Sequence, residues 1–430
     1  MRLGFVNYVR DVARSTPINL AMARLLLGVY VIWRTVWFDW HTHLKVPYVA
    51  VEEYAFLVPY SFPEVLVFEK WALVVVVVAF TLGYRLRATA SFGAVLLGHL
   101  ALVRFTLNIS GNVTALFFAV YFLIFLGIYH DPDPLTVDGL LSSRERSLGS
   151  LADRLNSPST EFYRFEGLRW SLLAVAVVYF GSGFDKLSKS GIEWAAAPNL
   201  SRIIVVRHYL YDQPFSIGLE LVQYPQLVEA MALGTLLLET GLLIVILAGR
   251  FLTPIVVGIL GLKLGILVVL GIFFGDVLLL FAVFFAWDAL HERLASSRRV
   301  DVVFDERCHF CARSLLPFDA LDVNETITFY SQSDLPEEYR DLPDIDYGDA
   351  MYLFADGEAY EGYYAFRELV RQFGLLGPLA WVMDRRPVAF VGVRIYRYVA
   401  ANRSRHFTCA VDTDVSSGDT SGLATSPDDD

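Results

Sequence analysis

Val178-Tyr-Phe-Gly-Ser-Gly-Phe-Asp-Lys186-Leu-Ser-Lys-Ser-Gly-Ile-Glu-Trp194 decides how this chain is read. Its first residues complete an apolar segment that runs from Leu172 to Phe180. The stretch then turns glycine-rich and meets Asp185 and Lys186 where a membrane helix is expected to end. Lysine is scarce: Lys45, Lys70, Lys186, Lys189 and Lys263 are the full set among 430 residues. An ammonium at mid-bilayer costs about 2.5–3.5 kcal/mol on insertion scales, and less toward a helix end. An acid–lysine pair here is therefore either an interfacial anchor with a snorkelling stem or a functional group.

Around this stretch the chain is 55% apolar and 19% charged, with a mean hydropathy of +0.47. That is too apolar for a soluble protein of this length. The apolar residues fall in blocks of about 20, enough to cross a bilayer at 1.5 Å per residue. Eight spans are expected: Ile18–Phe38, Val65–Tyr84, Ala88–Leu107, Val113–Tyr129, Leu168–Leu187, Leu227–Ala248, Phe251–Phe273 and the short Asp276–Leu290. The fold expected is a polytopic α-helical membrane bundle of about eight spans, followed by a small α/β domain.

Arginines set the orientation. Arg2, Arg10 and Arg14 precede the first span, and Arg85 and Arg87 separate the second from the third. Arg144, Arg146, Arg154 and Arg164 follow the fourth, Arg250 separates the sixth from the seventh, and Arg293, Arg298 and Arg299 follow the eighth. By the positive-inside rule the protein is a multi-pass protein of the cell membrane with both termini cytoplasmic. The loop after Lys186 then faces outside. The outer connections carry Trp40, Tyr48, Tyr54, Tyr60, Trp194 and Tyr209, which read as interfacial belt residues. Leu200–Leu210 is amphipathic and suited to the interface. His41 and His43 have no third ligand nearby, and no metal is expected. The N-terminus has no cleavage-site pattern and does not read as a signal peptide.

Beyond residue 295 the character changes. Residues 296–430 hold 24 acidic and 13 basic side chains and no lysine. An acidic surface with arginine for lysine reads as a halophilic protein. It offers no basic patch for phosphates, so nucleic acid is not an expected partner. Val300–Phe304 reads as a buried strand, followed by Asp-Glu-Arg-Cys308-His-Phe-Cys311 and a helix over Ala312–Leu321. Thr326–Tyr330 alternates as a strand. Met351–Ala355 and Glu358–Tyr360 form a hairpin about Asp356-Gly357, and Phe366–Phe373 and Pro387–Ala401 read as helices. The tail, residues 410–430, reads as disordered and acidic.

A Cys-x-x-Cys between strand and helix puts its first sulfur at a helix N-terminus, where N–H groups and the dipole stabilise a thiolate. The second sulfur, one turn on, can resolve a mixed disulfide. Thiol redox chemistry at Cys308 and Cys311 is the leading reading. Half of a zinc site completed by His406 and Cys409, or two inert buried thiols, are the alternatives.

Two resemblances add to this. Residues 299–409 resemble the DCC family of thioredoxin-like proteins. The resemblance rests on Val303-Phe304-Asp305 before Cys308-x-x-Cys311, on Arg313, on Glu361-Gly362 with Ala365 and Phe366, and on Pro387, Tyr396-Arg397 and Ala401-Asn402-Arg403. It implies thiol–disulfide oxidoreductase activity. Glu306 stands where that family usually has glycine.

Residues 12–295 resemble the HTTM domain, the membrane module shared with vitamin K-dependent γ-glutamyl carboxylase. Here the carriers are Tyr179-Phe180-x-x-Gly183-x-x-Lys186-Leu187 with Trp194, Asn19-Leu20-Ala21-x-x-Arg24, and Gly271-Ile-Phe273-Phe274 with Leu278. The resemblance implies a quinone of the vitamin K or menaquinone type in the bundle and a base at Lys186. The sequence itself requires no cofactor. At Gly111-Asn112-Val113 the carboxylase's histidine is missing, and its lumenal substrate domain has no counterpart.

Three functions follow. One is a membrane thiol–disulfide oxidoreductase that exchanges electrons with a cytoplasmic thiol protein and couples to a quinone. Another is a carboxylase- or epoxidase-like enzyme with Lys186 as base. The last is a non-enzymatic, transporter-like or scaffolding bundle.

Overall fold

The computed structural model describes residues 3–10, 16–37, 63–106, 113–129, 133–142, 155, 166–210, 217–305, 308–340, 342, 345–348 and 350–406. His41, His43, Trp40, the arginines at 144, 146, 154 and 164, the Gly111-Asn112 pair, Glu306, Cys409 and the tail lie outside these residues.

Apolar sequence becomes helix wherever lipid leaves the backbone no other hydrogen-bond partner. The N-terminal half holds α1 (Pro17–Val36), α2 (Pro63–Thr81), α3 (Leu86–Thr106), α4 (Val113–Ile128), the short α5 (Val137–Ser142) and α6 (Glu166–Ser190). After it come α7 (Ala197–Leu210), α8 (Gly218–Val222), α9 (Pro225–Ala248), α10 (Leu252–Leu270), α11 (Gly275–Ala282) and α12 (Trp287–Leu294). Proline opens α1 and α9, where its missing N–H costs nothing, and Gly249 closes α9 in the left-handed region at φ 67°.

The helices α1, α2, α3, α4, α6, α9 and α10 pack each on the next, with α11 against α1 and α4. Leu27, Tyr30, Leu73, Phe80, Leu97 and Phe122 fill the interior at zero exposure. Phe68, Val75, Phe92, Val95, Leu237 and Leu247 point outward. A bundle apolar both inside and out is one built for lipid.

Among the described residues, five helices are long and apolar enough to cross a membrane: Pro17–Val36, Leu86–Thr106, Glu166–Ala195, Pro225–Ala248 and Leu252–Leu270. The expected count of eight is therefore not met by this criterion. Glu64, Glu69 and Lys70 put three charges into α2, and α4 has 16 residues. The eighth expected span, Asp276–Leu290, is not one helix. It divides into α11 and α12 because the N-terminal segment takes its backbone bonds: Val6 N–H donates to the Phe284 carbonyl (3.0 Å), and Ala286 N–H to that of Gly4 (2.9 Å). Phe5 and Phe285 form an antiparallel bridge there.

The C-terminal part is a small sheet domain. β1 (Val300–Phe304) leads to α13 (His309–Leu321), β2 (Ile327–Ser331) and α14 (Glu337–Arg340). The hairpin β3 (Tyr352–Ala355) and β4 (Glu358–Glu361) follows, then α15 (Tyr363–Arg371), α16 (Gly377–Met383) and α17 (Arg386–His406). The strand order is β2-β1-β3-β4. β1 runs parallel to β2, with Val302 opposite Phe329, and antiparallel to β3, with Val302 opposite Leu353. The hairpin turns on Asp356 and Gly357, as expected, at φ 52° and 81°. Val302, Leu353, Ala365 and Leu369 are fully buried in its core.

The two parts are joined through α12. Asn19 of α1 accepts the Asp288 N–H at 3.1 Å. The fully buried His291 reaches the Leu321 carbonyl at the end of α13 at 2.9 Å and stacks on Phe373. Gly374 sits so close to Leu294 that an added Cβ would lie 2.3 Å from the Leu294 carbonyl carbon. The Cys-bearing helix α13 also touches α1 and α5, so the sheet domain is docked on one end of the bundle.

Candidate functional site

Strand β1 ends at Phe304, and Cys308 caps α13. Its Sγ accepts the Cys311 N–H at 3.4 Å, and its carbonyl accepts from the Ala312 N–H at 3.2 Å. The sulfur thus sits on the donors and dipole of a helix N-terminus, the setting that favours a charged sulfur. Cys308 and Cys311 are not joined to each other by a disulfide. Cys308 is 2% exposed, whereas Cys311 is only partly buried.

Beside Cys311 lies an apolar cavity of about 410 Å³. Phe310, Leu315, Phe366, Ile395 and Val399 line it together with Cys311, and Cys308 does not reach it. The cavity exists because α17 crosses the open side of the helix–sheet layer. The Tyr396 hydroxyl oxygen of α17 accepts the Met351 N–H at 3.0 Å, and its ring packs tilted on Phe366 at 6.0 Å between centroids. Among the described residues, no cluster of three metal-ligating side chains occurs.

Lys186 lies elsewhere, near the C-terminal end of α6. The helix runs through Gly181 and Gly183 without a break as far as Ser190. The sequence points to Asp185 as the acid beside Lys186, but Asp185 takes Lys189, one turn on, at 2.9 Å. Lys186 Nζ instead donates to Glu239 Oε2 of α9 at 2.6 Å, to Ser182 Oγ at 2.8 Å, and lies 5.4 Å from the Trp194 ring centre. The pair is largely enclosed, at 22% and 11% side-chain exposure. Gly183 permits it: a Cβ there would lie 3.1 Å from that of Glu239. Lys263 of α10 stands near the pair, its ammonium 4.4 Å from the Phe274 ring centre and 5.4 Å from that of Tyr179.

Sequence alone does not pair Lys186 with Glu239 or Lys263, although both stand out in their helices. Lys263 is the one charge in α10, and Glu239 stands in Leu-Leu-Leu-Glu-Thr-Gly. The Asn19 and Arg24 motif is accounted for structurally: Arg24 pairs with the buried Asp133 at 2.9 Å and donates to the Leu135 carbonyl at 3.0 Å.

The thiol and lysine sites are not brought together. Glu166 at the start of α6 adjoins the end of α4, where Gly167 meets Phe125 and Leu126, and α5 beyond that end touches the Cys helix. Lys186 lies about 30 Å further along α6 at 1.5 Å per residue.

Residues 302–409 match the family model of the DCC1-like thiol-disulfide oxidoreductases. The match runs from β1 through α17, and so includes both described cysteines, the hairpin and the cavity wall. It coincides with the expected DCC part. No curated protein and no solved structure matches the chain.

Proposed function

We propose that the protein is a membrane-anchored thiol–disulfide oxidoreductase whose DCC1-like part cycles Cys308 and Cys311 between dithiol and disulfide. The observation that carries this is Cys308 capping the helix after β1, with Cys311 one turn on at an apolar cavity. The sheet order β2-β1-β3-β4, with β3 antiparallel to both neighbours, has the connectivity of a thioredoxin-like fold.

In the reaction one cysteine thiolate attacks a partner disulfide and releases one partner thiol. The other cysteine attacks the resulting mixed disulfide and releases the second thiol. Two electrons pass to the partner, and a Cys308–Cys311 disulfide remains. The partner is a cytoplasmic thiol protein if both termini are cytoplasmic, as the arginine pattern implies.

Thiol trapping of the full chain across a redox titration tests the reading, with Cys308→Ser and Cys409→Ser as controls. A reversible two-electron couple that needs Cys308 and survives Cys409→Ser is expected. Thiols that never pair, or a couple that depends on Cys409, would refute it.

A second site in the bundle is favoured by the Lys186, Glu239 and Lys263 cluster, because ionisable groups amid apolar helices are costly and mark ligand or ion sites. In this reading the bundle is an HTTM-like module that holds a quinone. Two ammonium donors for its oxygens and the faces of Tyr179, Phe274 and Trp194 for its ring suit such a molecule. The quinone would supply an electron acceptor. Lys186 would orient it as a hydrogen-bond donor, and would accept a substrate proton only after passing its own to Glu239, 2.6 Å away. Lys186→Ala is expected to abolish quinone binding, measured by extraction from the purified protein. Retention of quinone in the variant would end this reading.

A further inference from the structure

Helix α17 contradicts the charge of the domain that contains it. Between Asp384 and Asp412 the sequence has no acidic residue, and six of the domain's 13 arginines fall there: Arg385, Arg386, Arg394, Arg397, Arg403 and Arg405. The other seven arginines stand against 24 acids.

The helix has two faces. Gly392, Tyr396 and Val399 look inward to the cavity beside Cys311. The opposite face continues from α16 and is apolar and open: Trp381 is 60% exposed, Phe390 59% and Tyr398 67%, with Val391 exposed between them. Arginines lie among these side chains, the Arg385 guanidinium 3.7 Å from the Trp381 ring centre and that of Arg394 3.3 Å from Phe390. Interleaved arginine and large apolar residues on an otherwise acidic, water-facing domain mark a contact surface. Its position is fixed by Gly374, which is pressed against Leu294 at the end of the bundle. Helix α16 starts three residues later, at Gly377.

We propose that α16 and α17 lie on the surface of the bilayer that holds the bundle. Trp381, Phe390, Val391 and Tyr398 enter the boundary between headgroups and acyl chains, and the arginines meet anionic headgroups. A lipid surface fits better than a second copy of this chain, because a bilayer offers apolar depth and anionic charge together. The acidic remainder of the domain is repelled by the same headgroups, so this face alone can turn toward them. The inference stands independently of the redox reading.

The test uses the full chain in vesicles, with Cys308, Cys311 and Cys409 replaced by Ser and Tyr398→Cys carrying an environment-sensitive fluorophore. In vesicles containing phosphatidylglycerol, emission is expected to shift to the blue and to be quenched by nitroxide-labelled acyl chains. Replacing Arg386, Arg394 and Arg397 by Glu should abolish both effects. A label quenched by aqueous iodide equally in phosphatidylglycerol and phosphatidylcholine vesicles would overturn the proposal. So would a blue shift that tracks protein density and ignores lipid charge, which would mean contact between copies. Phe390→Cys provides a second labelling position should Tyr398→Cys misfold.

Discussion

Removing the Glu239 carboxylate would leave the Lys186 ammonium enclosed without its 2.6 Å partner. Breaking one side of a buried ion pair costs about 3–5 kcal/mol, whereas replacing both sides with apolar groups is often neutral. Glu239→Ala is therefore expected to lower the thermal midpoint of the purified protein markedly, and Lys186→Met with Glu239→Leu to restore most of it. A single variant as stable as the parent would show that the pair does not hold α6 to α9. At the thiol site the exposures make a different prediction. The helix cap favours Cys308 as the thiolate, but Cys308 is enclosed and Cys311 borders the cavity; access reverses the roles that the spacing implies, so Cys308→Ser is expected to accumulate a mixed disulfide with partner protein on Cys311. Cys311→Ser should accumulate little, as read by mass spectrometry after acid quenching. The opposite pattern would make Cys308 the attacking sulfur. The sequence revealed the Cys pair because its spacing is local. It hid Glu239, 53 residues from Lys186, and it hid the unequal exposure of the sulfurs, which depends on where α17 packs.

Among the elements, α6 offers a paired comparison. A side chain at Gly183 must push into Thr240 and Glu239, while nothing lies within 4 Å of a Cβ at Gly181. Gly183→Val is expected to cost about 1–3 kcal/mol through overpacking. Gly181→Ala should be neutral or stabilising by up to about 1 kcal/mol; detergent-solubilised thermal unfolding separates the two. Equal effects would mean that the α6–α9 contact tolerates a side chain at Gly183. The strands, the hairpin and most long helices could be read from the sequence, because alternation, turn residues and apolar length are properties of the segment itself. The break between α11 and α12 could not. It is made by Gly4, Phe5 and Val6, far away in sequence, and an apolar run gives no sign that another strand will claim its carbonyls.

For the whole molecule, the docking of the sheet domain depends on His291. Burial depresses its pKa from the ordinary 6.5, against the Leu321 hydrogen bond and the charges of Asp322 and Asp288, which pull the other way. Its Nε2 donates to the Leu321 carbonyl, while its buried Nδ1 has no hydrogen-bond partner, so a second ring proton would leave a buried donor unpaired. The undocked state then binds protons more readily than the docked one. Docking is expected to be at full strength above the ordinary histidine value and to weaken as pH falls below it. Hydrogen exchange of the α13 amides should accelerate on acidification in the parent and change much less in His291→Gln. An unchanged slope in that variant would assign the effect elsewhere. The two-part plan of bundle and acidic domain was plain in the composition. That they touch was not, because the contacts are made by His291 and Gly374, neither of which looks special in its own segment.

The same junction bears on how such a protein can be assembled from parts. The recognisable family segment begins at residue 302, but the side chains that seat it belong to α12 and α1. A fusion made at the family boundary would carry Phe373 and Gly374 away from the histidine and leucine shaped to receive them. The inherited unit, in gene shuffling or in laboratory chimeras, therefore starts upstream of Trp287 and requires a host helix with a counterpart of Asn19.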